Sequence, residues 1–260
     1  MVNPENRYAV FLDIDGTLIS DSFRIPQENL DAIAAARAKG HLVFINTGRS
    51  WGNIPDELRR QFDVDGVIAG SGAMIIMDGE TVFKKKYNLE TVRRTAEYFF
   101  ENRDCWCVFE GLKTNYIIAN AGYQVREGRQ IELKSVEDLS LFLPDEEIQV
   151  IAAGPAVPDE FMELLDEKMS FFVMRTYVDF VIKGCDKAKG IEKVIELAGI
   201  KRENTVAIGD SSNDLAMLEY AGISVAMGNS QEHILKMADY VTDTAANAGV
   251  GKAIRKILNI

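Results

Sequence analysis

Two aspartates stand two residues apart in Asp13-Ile14-Asp15-Gly16-Thr17, directly after a short apolar run from Tyr8 to Leu12. Where a chain leaves the regular pleat of a strand, two such carboxylates can converge on one substrate. One can attack phosphorus and form an acyl-phosphate. The other can protonate the leaving oxygen, then accept a proton from the incoming water. Gly16 lets the backbone turn closely around a ligand. The same residues also suit a plain acidic turn leading out of a strand. A calcium hand fits less well, because Gly16 comes too early and the later glutamate is absent at the required spacing.

Three further groups have chemical potential. Asn46-Thr47-Gly48-Arg49 offers a hydroxyl and backbone N–H groups that can cradle phosphate oxygens, although Thr-Gly is also a common loop pair. Lys187, just after Asp186, can neutralise a nucleophile and a phosphate oxygen together; taken alone it resembles any solvated lysine. Gly209-Asp210-Ser211-Ser212-Asn213-Asp214 gathers oxygen-bearing side chains that suit a hard cation. Its ordinary alternative is an N-cap and a loop before a helix. Only His41 and His233 are present, and neither lies near a serine or cysteine nucleophile motif. Histidine chemistry is therefore not expected.

The elements needed to position these groups are legible in the apolar pattern. Continuous apolar runs fit parallel strands buried on both faces. Tyr8–Leu12, His41–Asn46 and Gly66–Gly70 read as such strands, with a helix from Pro26 to Gly40 between the first two. Ala73–Met77 and Thr81–Lys85, joined by Asp78-Gly79, read as a β-hairpin. The last third alternates again: helix Lys187–Ala198 closed by Gly199, strand Thr205–Gly209, helix Asn213–Tyr220 and strand Ile223–Met227. A helix capped by Ser230 and a final helix Gly251–Leu258 follow. Repeated β-α units predict a parallel sheet with right-handed crossovers. Three of the four chemical groups then fall at the C-terminal ends of strands, the edge where open α/β sheets bind ligands.

The middle of the chain reads differently. A helix from Leu89 to Asn102 leads into predicted strands Thr114–Ala119, Ile148–Ala153, Phe171–Arg175 and Asp179–Ile182, with helices near Ser135–Phe142 and Pro158–Met169. The expected fold is α/β, a Rossmann-like parallel-sheet core over 1–86 and 184–260, interrupted by an inserted α+β cap domain over 87–183.

In order and placement, Asp-x-Asp-Gly-Thr, Thr-Gly-Arg, Lys and Gly-Asp-x-x-Asn-Asp resemble the four motifs of the haloacid dehalogenase superfamily. The large insertion between the second and third motifs, Val225-Ala226-Met227-Gly228-Asn229 and Gly249-Val250 resemble its Cof-like sugar-phosphatase branch. The resemblance covers the core; in the insertion it rests on element order. Two departures stand out. The branch often has asparagine before Gly72, where this chain has Ser71, and Gly then Glu where Ser211 and Ser212 stand. Neither removes a carboxylate needed for chemistry.

The resemblance implies a phosphatase of small phosphorylated metabolites, sugar phosphates in particular. It implies Asp13 as nucleophile and Asp15 as general acid and base. Magnesium would be held by the Asp13 side chain, the Asp15 carbonyl and Asp210. Thr47, Gly48, Lys187 and Asn213 would hold the phosphoryl group. Asp214 would bind the metal or stand just behind it, and Arg49 would stand near the substrate. Asp15 must be protonated for the first step, so partial burial and neighbouring negative charge are expected to raise its pKa. Trp106, Glu110, Asn115 and Tyr116 are candidates to line the cap, or simply parts of its sheet. The alternatives are a phosphomutase of the same superfamily and a catalytically silent phosphate-metabolite sensor.

Composition narrows the remaining classes. The chain has 260 residues, 47% hydrophobic and 27% charged, with a formal net charge of −11. That balance argues against nucleic-acid binding, which relies on Lys and Arg to neutralise phosphates. No run approaches the roughly 18 apolar residues of a membrane span. The polar start, Met1 to Arg7, lacks the basic and long apolar regions of a signal peptide, so a cytoplasmic location is expected. Cys105, Cys107 and Cys185 have no zinc-like spacing and are expected as reduced, partly buried thiols. Oligomeric state has no signature in the sequence.

Overall fold

The computed structural model describes residues 7–126, 128, 130–142, 146–164, 169–174 and 176–260. The chain divides into two compact units. The first comprises 1–48, 55–83 and 186–260; the second comprises 49–54 and 84–185. The short segment 49–54, which directly follows the Thr47-Gly48 loop, belongs to the second unit.

Along the chain the elements are β1 (Ala9–Leu12), α1 (Gln27–Ala38), β2 (Leu42–Asn46), α2 (Asp56–Arg59), β3 (Gly66–Ala69), β4 (Met74–Met77) and β5 (Glu80–Lys84). Next come α3 (Leu89–Glu101), β6 (Trp106–Glu110), β7 (Asn115–Ile118), β8 (Gln130–Glu132), α4 (Asp138–Phe142), β9 (Val150–Gly154), α5 (Asp159–Leu164), β10 (Met169–Val173) and β11 (Val178–Ile182). The chain closes with α6 (Lys187–Ala198), β12 (Thr205–Gly209), α7 (Leu215–Tyr220), β13 (Ile223–Ala226), α8 (Glu232–Met237), β14 (Tyr240–Val241) and α9 (Gly249–Leu258).

The first unit is built on an eight-stranded sheet in the order β14-β13-β12-β1-β2-β3-β4-β5. The strands from β14 through β3 run parallel, and β4 turns back antiparallel on β3. Every residue of β1 and β12 is buried, as expected of central strands covered on both faces. On one face Phe11 and Phe44 stack at 5.3 Å, and Ile191, Val194 and Met217 pack with them. The Asp78-Gly79 turn between β4 and β5 has positive φ at both positions, the conformation of a tight two-residue hairpin.

The second unit is a six-stranded sheet in the order β10-β11-β9-β6-β7-β8, antiparallel except for the β7–β8 pair. Alternation along β6 sends Cys107 and Phe109 toward Val92, Ala96 and Phe99 of α3 and Phe161 of α5. Trp106 and Val108 go to the other face, where Trp106 meets Tyr123 and Tyr177. Tyr116 packs in the α3 cluster. Of the four cap candidates, Trp106 and Tyr116 are thus sheet-packing residues. The Glu146 carboxylate accepts from the N–H groups of Leu112, Lys113 and Thr114 at 2.7–3.2 Å, holding the β6–β7 turn.

Several expectations need adjustment. Strands β6, β8 and β14 escaped the sequence reading. The helix expected from Asn213 begins as a 3-10 turn over Ser212–Asp214 and becomes α-helical at Leu215. Ser230 does not cap α8: Gln231 holds that position, and the Ser230 hydroxyl is buried without a partner among the described residues. Residues 1–6, 165–168 and Arg175, parts of the N-terminal, helix and strand readings, lie outside the described residues. The three cysteines are buried and unbridged. Among the described residues, no helix is long and apolar enough to cross a membrane.

Candidate active site

Asp13 is the first residue past β1. Its N–H still donates to Ile208 O of β12 at 3.1 Å, which keeps the backbone in sheet register while the carboxylate projects beyond the strand end. The residue is only 4% exposed. Lys187 opens α6 and is completely buried; its Nζ donates to Asp13 Oδ1 at 2.6 Å and Asp214 Oδ1 at 2.5 Å. Two local features put it there. Asp186 caps α6 by accepting from Lys189 N at 2.7 Å, and Asn46 at the end of β2 donates to Lys187 O at 3.0 Å. The lysine that looks solvated from its own neighbours is therefore the buried cation of the site.

The loop after β12 is both a cap and a site. Asp214 Oδ2 accepts from the N–H groups of Asp210 and Ser211 at 2.9 and 3.0 Å, while Oδ1 takes Lys187. Thr17 Oγ1 donates to Asp210 Oδ1 at 2.9 Å and orients that carboxylate. Gly16 has φ +78, and a Cβ there would stand 2.4 Å from Asp210 Oδ2. No other residue type fits that position without displacing Asp210. Asn229 donates to Gly16 O at 2.8 Å and accepts from Ala245 N at 2.9 Å, tying the turn to the loop after β14.

Carboxylate oxygens of Asp13, Asp210 and Asp214 lie within 4.8 Å of one another. Burial pushes the Asp13 carboxyl well above the usual carboxylate range; Lys187 opposes this, while Asp214, Asp210 and Asp15 reinforce it. Burial, aided by Asp214, moves Asp210 up to about 6, against the Thr17 hydrogen bond and Lys187. Burial also disfavours the Lys187 charge, but Asp13 and Asp214 outweigh it and hold the ammonium above the usual lysine range. One buried cation thus faces three carboxylates. This surplus of converging oxygen donors fits a hard divalent cation.

Asp15 differs from the expectation of partial burial: its side chain is exposed. It lies in the tight turn over 13–19, where Gly16 N donates to Ile19 O at 3.0 Å and Ile19 N to Ile14 O at 3.0 Å. That turn carries the second aspartate out of the buried cluster.

The second sequence group divides. Thr47 is 1% exposed, and its N–H is taken by Ile68 O at 2.9 Å, so Gly48 is the first residue whose amide the loop can offer. Gly48 adjoins Asn213 and Ser71: a Cβ on it would stand 3.3 Å from Asn213 Nδ2 and 3.6 Å from Ser71 Oγ. Arg49 is grouped with the second unit, where its guanidinium donates to Asn53 O at 3.1 Å. His41 serves structure, its Nδ1 accepting from Tyr8 N at 3.2 Å. Sequence reasoning gave no site role to Thr17, Asn46 or Asn229. Their signal was position: Thr17 and Asn46 sit inside two of the four groups, and Asn229 ends the Val225–Asn229 stretch.

Comparison with known proteins bears on this geometry. A family model described as haloacid dehalogenase-like hydrolase matches residues 10–254. The 5-amino-6-(5-phospho-D-ribitylamino)uracil phosphatase YcsE of Bacillus subtilis (strain 168) is 31% identical over 252 residues, covering 95% of this chain and 94% of its own. Phosphatase YwpJ from the same organism is 28% identical over 298 residues, covering 96% and 99%. Among solved structures, the HAD subclass IIB sugar phosphatase BT4131 has a TM-score of 0.79 at 30% identity, covering 97% of this chain and 100% of its own. The strand-end carboxylates, the near full-length family match and the phosphatases on both sides of the comparison agree, and the chain belongs to the haloacid dehalogenase-like hydrolases, the superfamily its four motifs resemble, as a phosphatase of the Cof-like branch.

Proposed function

We propose that this protein hydrolyses small phosphorylated metabolites, sugar phosphates in particular, through a phospho-aspartate on Asp13 and with Mg²⁺ in its acidic cluster. The observation that carries this reading is the buried Asp13 carboxylate at the end of β1, held by Lys187 at 2.6 Å beside Asp210 and Asp214. The names of YcsE and BT4131 support the substrate class, since both refer to phosphorylated sugar-derived or sugar substrates.

Lys187 occupies Asp13 Oδ1, and Oδ2 is the oxygen that attacks phosphorus. As the Asp13–phosphorus bond forms, the bond to the ester oxygen breaks, and Asp15 donates a proton to the departing alkoxide. Asp15 then takes a proton from water as that water attacks the phosphorus. The bond to Asp13 breaks, and inorganic phosphate leaves. Lys187, Thr47, Gly48 and Asn213 orient and neutralise the group in transfer, which is how phosphoryl transfer is chiefly catalysed. Asp13, Asp210 and the Asp15 carbonyl would hold the magnesium, with Asp214 behind them. When bound, the ion supplies positive charge against phosphate and nucleophile.

The inserted domain, in this reading, acts as a cap over 87–183 that selects the organic part of the substrate. Chelation should abolish hydrolysis of a sugar phosphate panel, and added Mg²⁺ should restore it. Full turnover in metal-free buffer would remove the metal from the account. Exchange of the inserted domain for a relative's should change the preferred substrate; an unchanged profile in an active chimera would move specificity to the core loops.

A further inference from the structure

Ser71 has an unusual backbone. Gly70, Ser71 and Gly72 all have positive φ, at 59°, 50° and 88°. Two of the three are glycine, as such a turn favours. Serine in the middle carries a conformational cost that glycine would not. Backbone contacts explain the turn: Ser71 N donates to Thr47 O at 3.0 Å, and Ala73 N to Gly70 O at 3.1 Å. They do not explain the hydroxyl. The residue is only 2% exposed.

The hydroxyl has a companion. Asn213 Oδ1 accepts from Ser211 Oγ at 2.8 Å, which turns the amide nitrogen toward Gly48. Ser71 Oγ and Asn213 Nδ2 lie 3.6 and 3.3 Å from the point where a Gly48 side chain would begin. Glycine leaves that point open. An amide nitrogen only donates, and a hydroxyl can donate. Two donors that converge on an open spot beside the Thr47-Gly48 loop match an anionic oxygen.

We infer that Ser71 is a substrate-binding residue, its hydroxyl donating with Asn213 to a non-bridging phosphoryl oxygen seated against Gly48. This rests on the proposed phosphatase reading of the site and adds a donor to it. The strained backbone is retained because glycine, which fits the turn better, has no hydroxyl to give.

The test separates a binding hydroxyl from a structural one. Ser71→Gly and Ser71→Ala, assayed with Mg²⁺ and nitrophenyl phosphate, should each raise KM and the inhibition constant of inorganic phosphate by about tenfold, the loss expected for a hydrogen bond to a charged group. Ser71→Gly should melt at or above the wild-type temperature, because glycine removes the left-handed cost. Ser71→Asn, which tolerates that backbone and keeps a donor, should recover part of the affinity. Wild-type-like values of both constants in either folded variant would overturn the assignment. So would losses in both variants that track a lowered melting temperature. Wild-type turnover that survives Asp13→Asn would instead overturn the nucleophile, a result distinguishable from either.

Discussion

Lys187 is the residue whose removal should reveal most about the site's electrostatics. It is fully buried between Asp13 and Asp214, and its ammonium is the cation those carboxylates share. Lys187→Met should leave both carboxylates buried and uncompensated, at a cost of about 3 kcal/mol in urea unfolding and with loss of turnover. A stability within error of wild type would show that the two aspartates are not charged together. A second expectation concerns Asp210, raised from 3.8 to about 6. Its folded pKa exceeds its unfolded value, so its favourable contribution is complete below 3.8 and is lost as pH rises through about 6. Asp13, shifted in the same direction, adds to the effect. Mg²⁺ should offset the cost of burying these carboxylates in ionised form, so the rise in melting temperature on adding Mg²⁺ should be larger near about pH 7.5 than near about pH 5. An equal or reversed difference would contradict it. At this scale the sequence named Asp13, Asp210, Asn213 and Lys187 through residue type and order. It could not show that Lys187 is buried or that Asp15 is exposed, because direction past a strand end depends on turn geometry and partners distant in sequence.

At the scale of elements, the apolar pattern carried the long parallel strands and the longer helices. Helix α6 matched its expected span, with Asp186 as its cap and Gly199 at φ 65 closing it. Short elements were not legible. Strand β14 has two residues and β8 has three, too few to show a period. Strand β6, Trp106–Glu110, is buried along nearly its whole length and so shows no period-two alternation in its residue types. The role of Glu110 was also invisible. At the end of β6 it accepts from Ser50 N at 3.1 Å and Asn53 Nδ2 at 2.6 Å, while Asn115 donates to Asn53 Oδ1 at 2.8 Å. Burial pushes the Glu110 carboxyl up, and its hydrogen bonds and Arg49 pull it back. This network anchors the segment 49–54, whose chain continues from the Thr47-Gly48 loop. Glu110→Ala should therefore cost about 2 kcal/mol by leaving buried donors unpaired. Hydrogen exchange at residues 50–53 should quicken, and Glu110→Gln should lose less. Unchanged exchange in Glu110→Ala would show that the anchor lies elsewhere.

For the molecule as a whole, composition set useful boundaries and the order of four short groups supplied the chemistry. In the proposed reading, a net charge of −11 still accommodates an anionic substrate because Lys187 and a bound divalent cation would offset the three carboxylates of the site. The alternation of elements predicted a parallel core around an insertion, and the structure contains a parallel-stranded unit and a mixed sheet-and-helix unit. The placement of 49–54 in the second unit was not legible in the sequence, since that segment bonds to Glu110 and Gly111, about sixty residues away. The central claim is that phosphate passes through Asp13. Asp15→Asn should expose this most directly, because nitrophenolate leaves without a donated proton while hydrolysis of the acyl-phosphate lacks its base. Rapid-quench mass spectrometry of that variant with nitrophenyl phosphate should find one added phosphoryl group on the peptide containing Asp13, absent when Asp13→Asn is also present. Single-turnover release of nitrophenol with no adduct, or an adduct on another residue, would contradict the account.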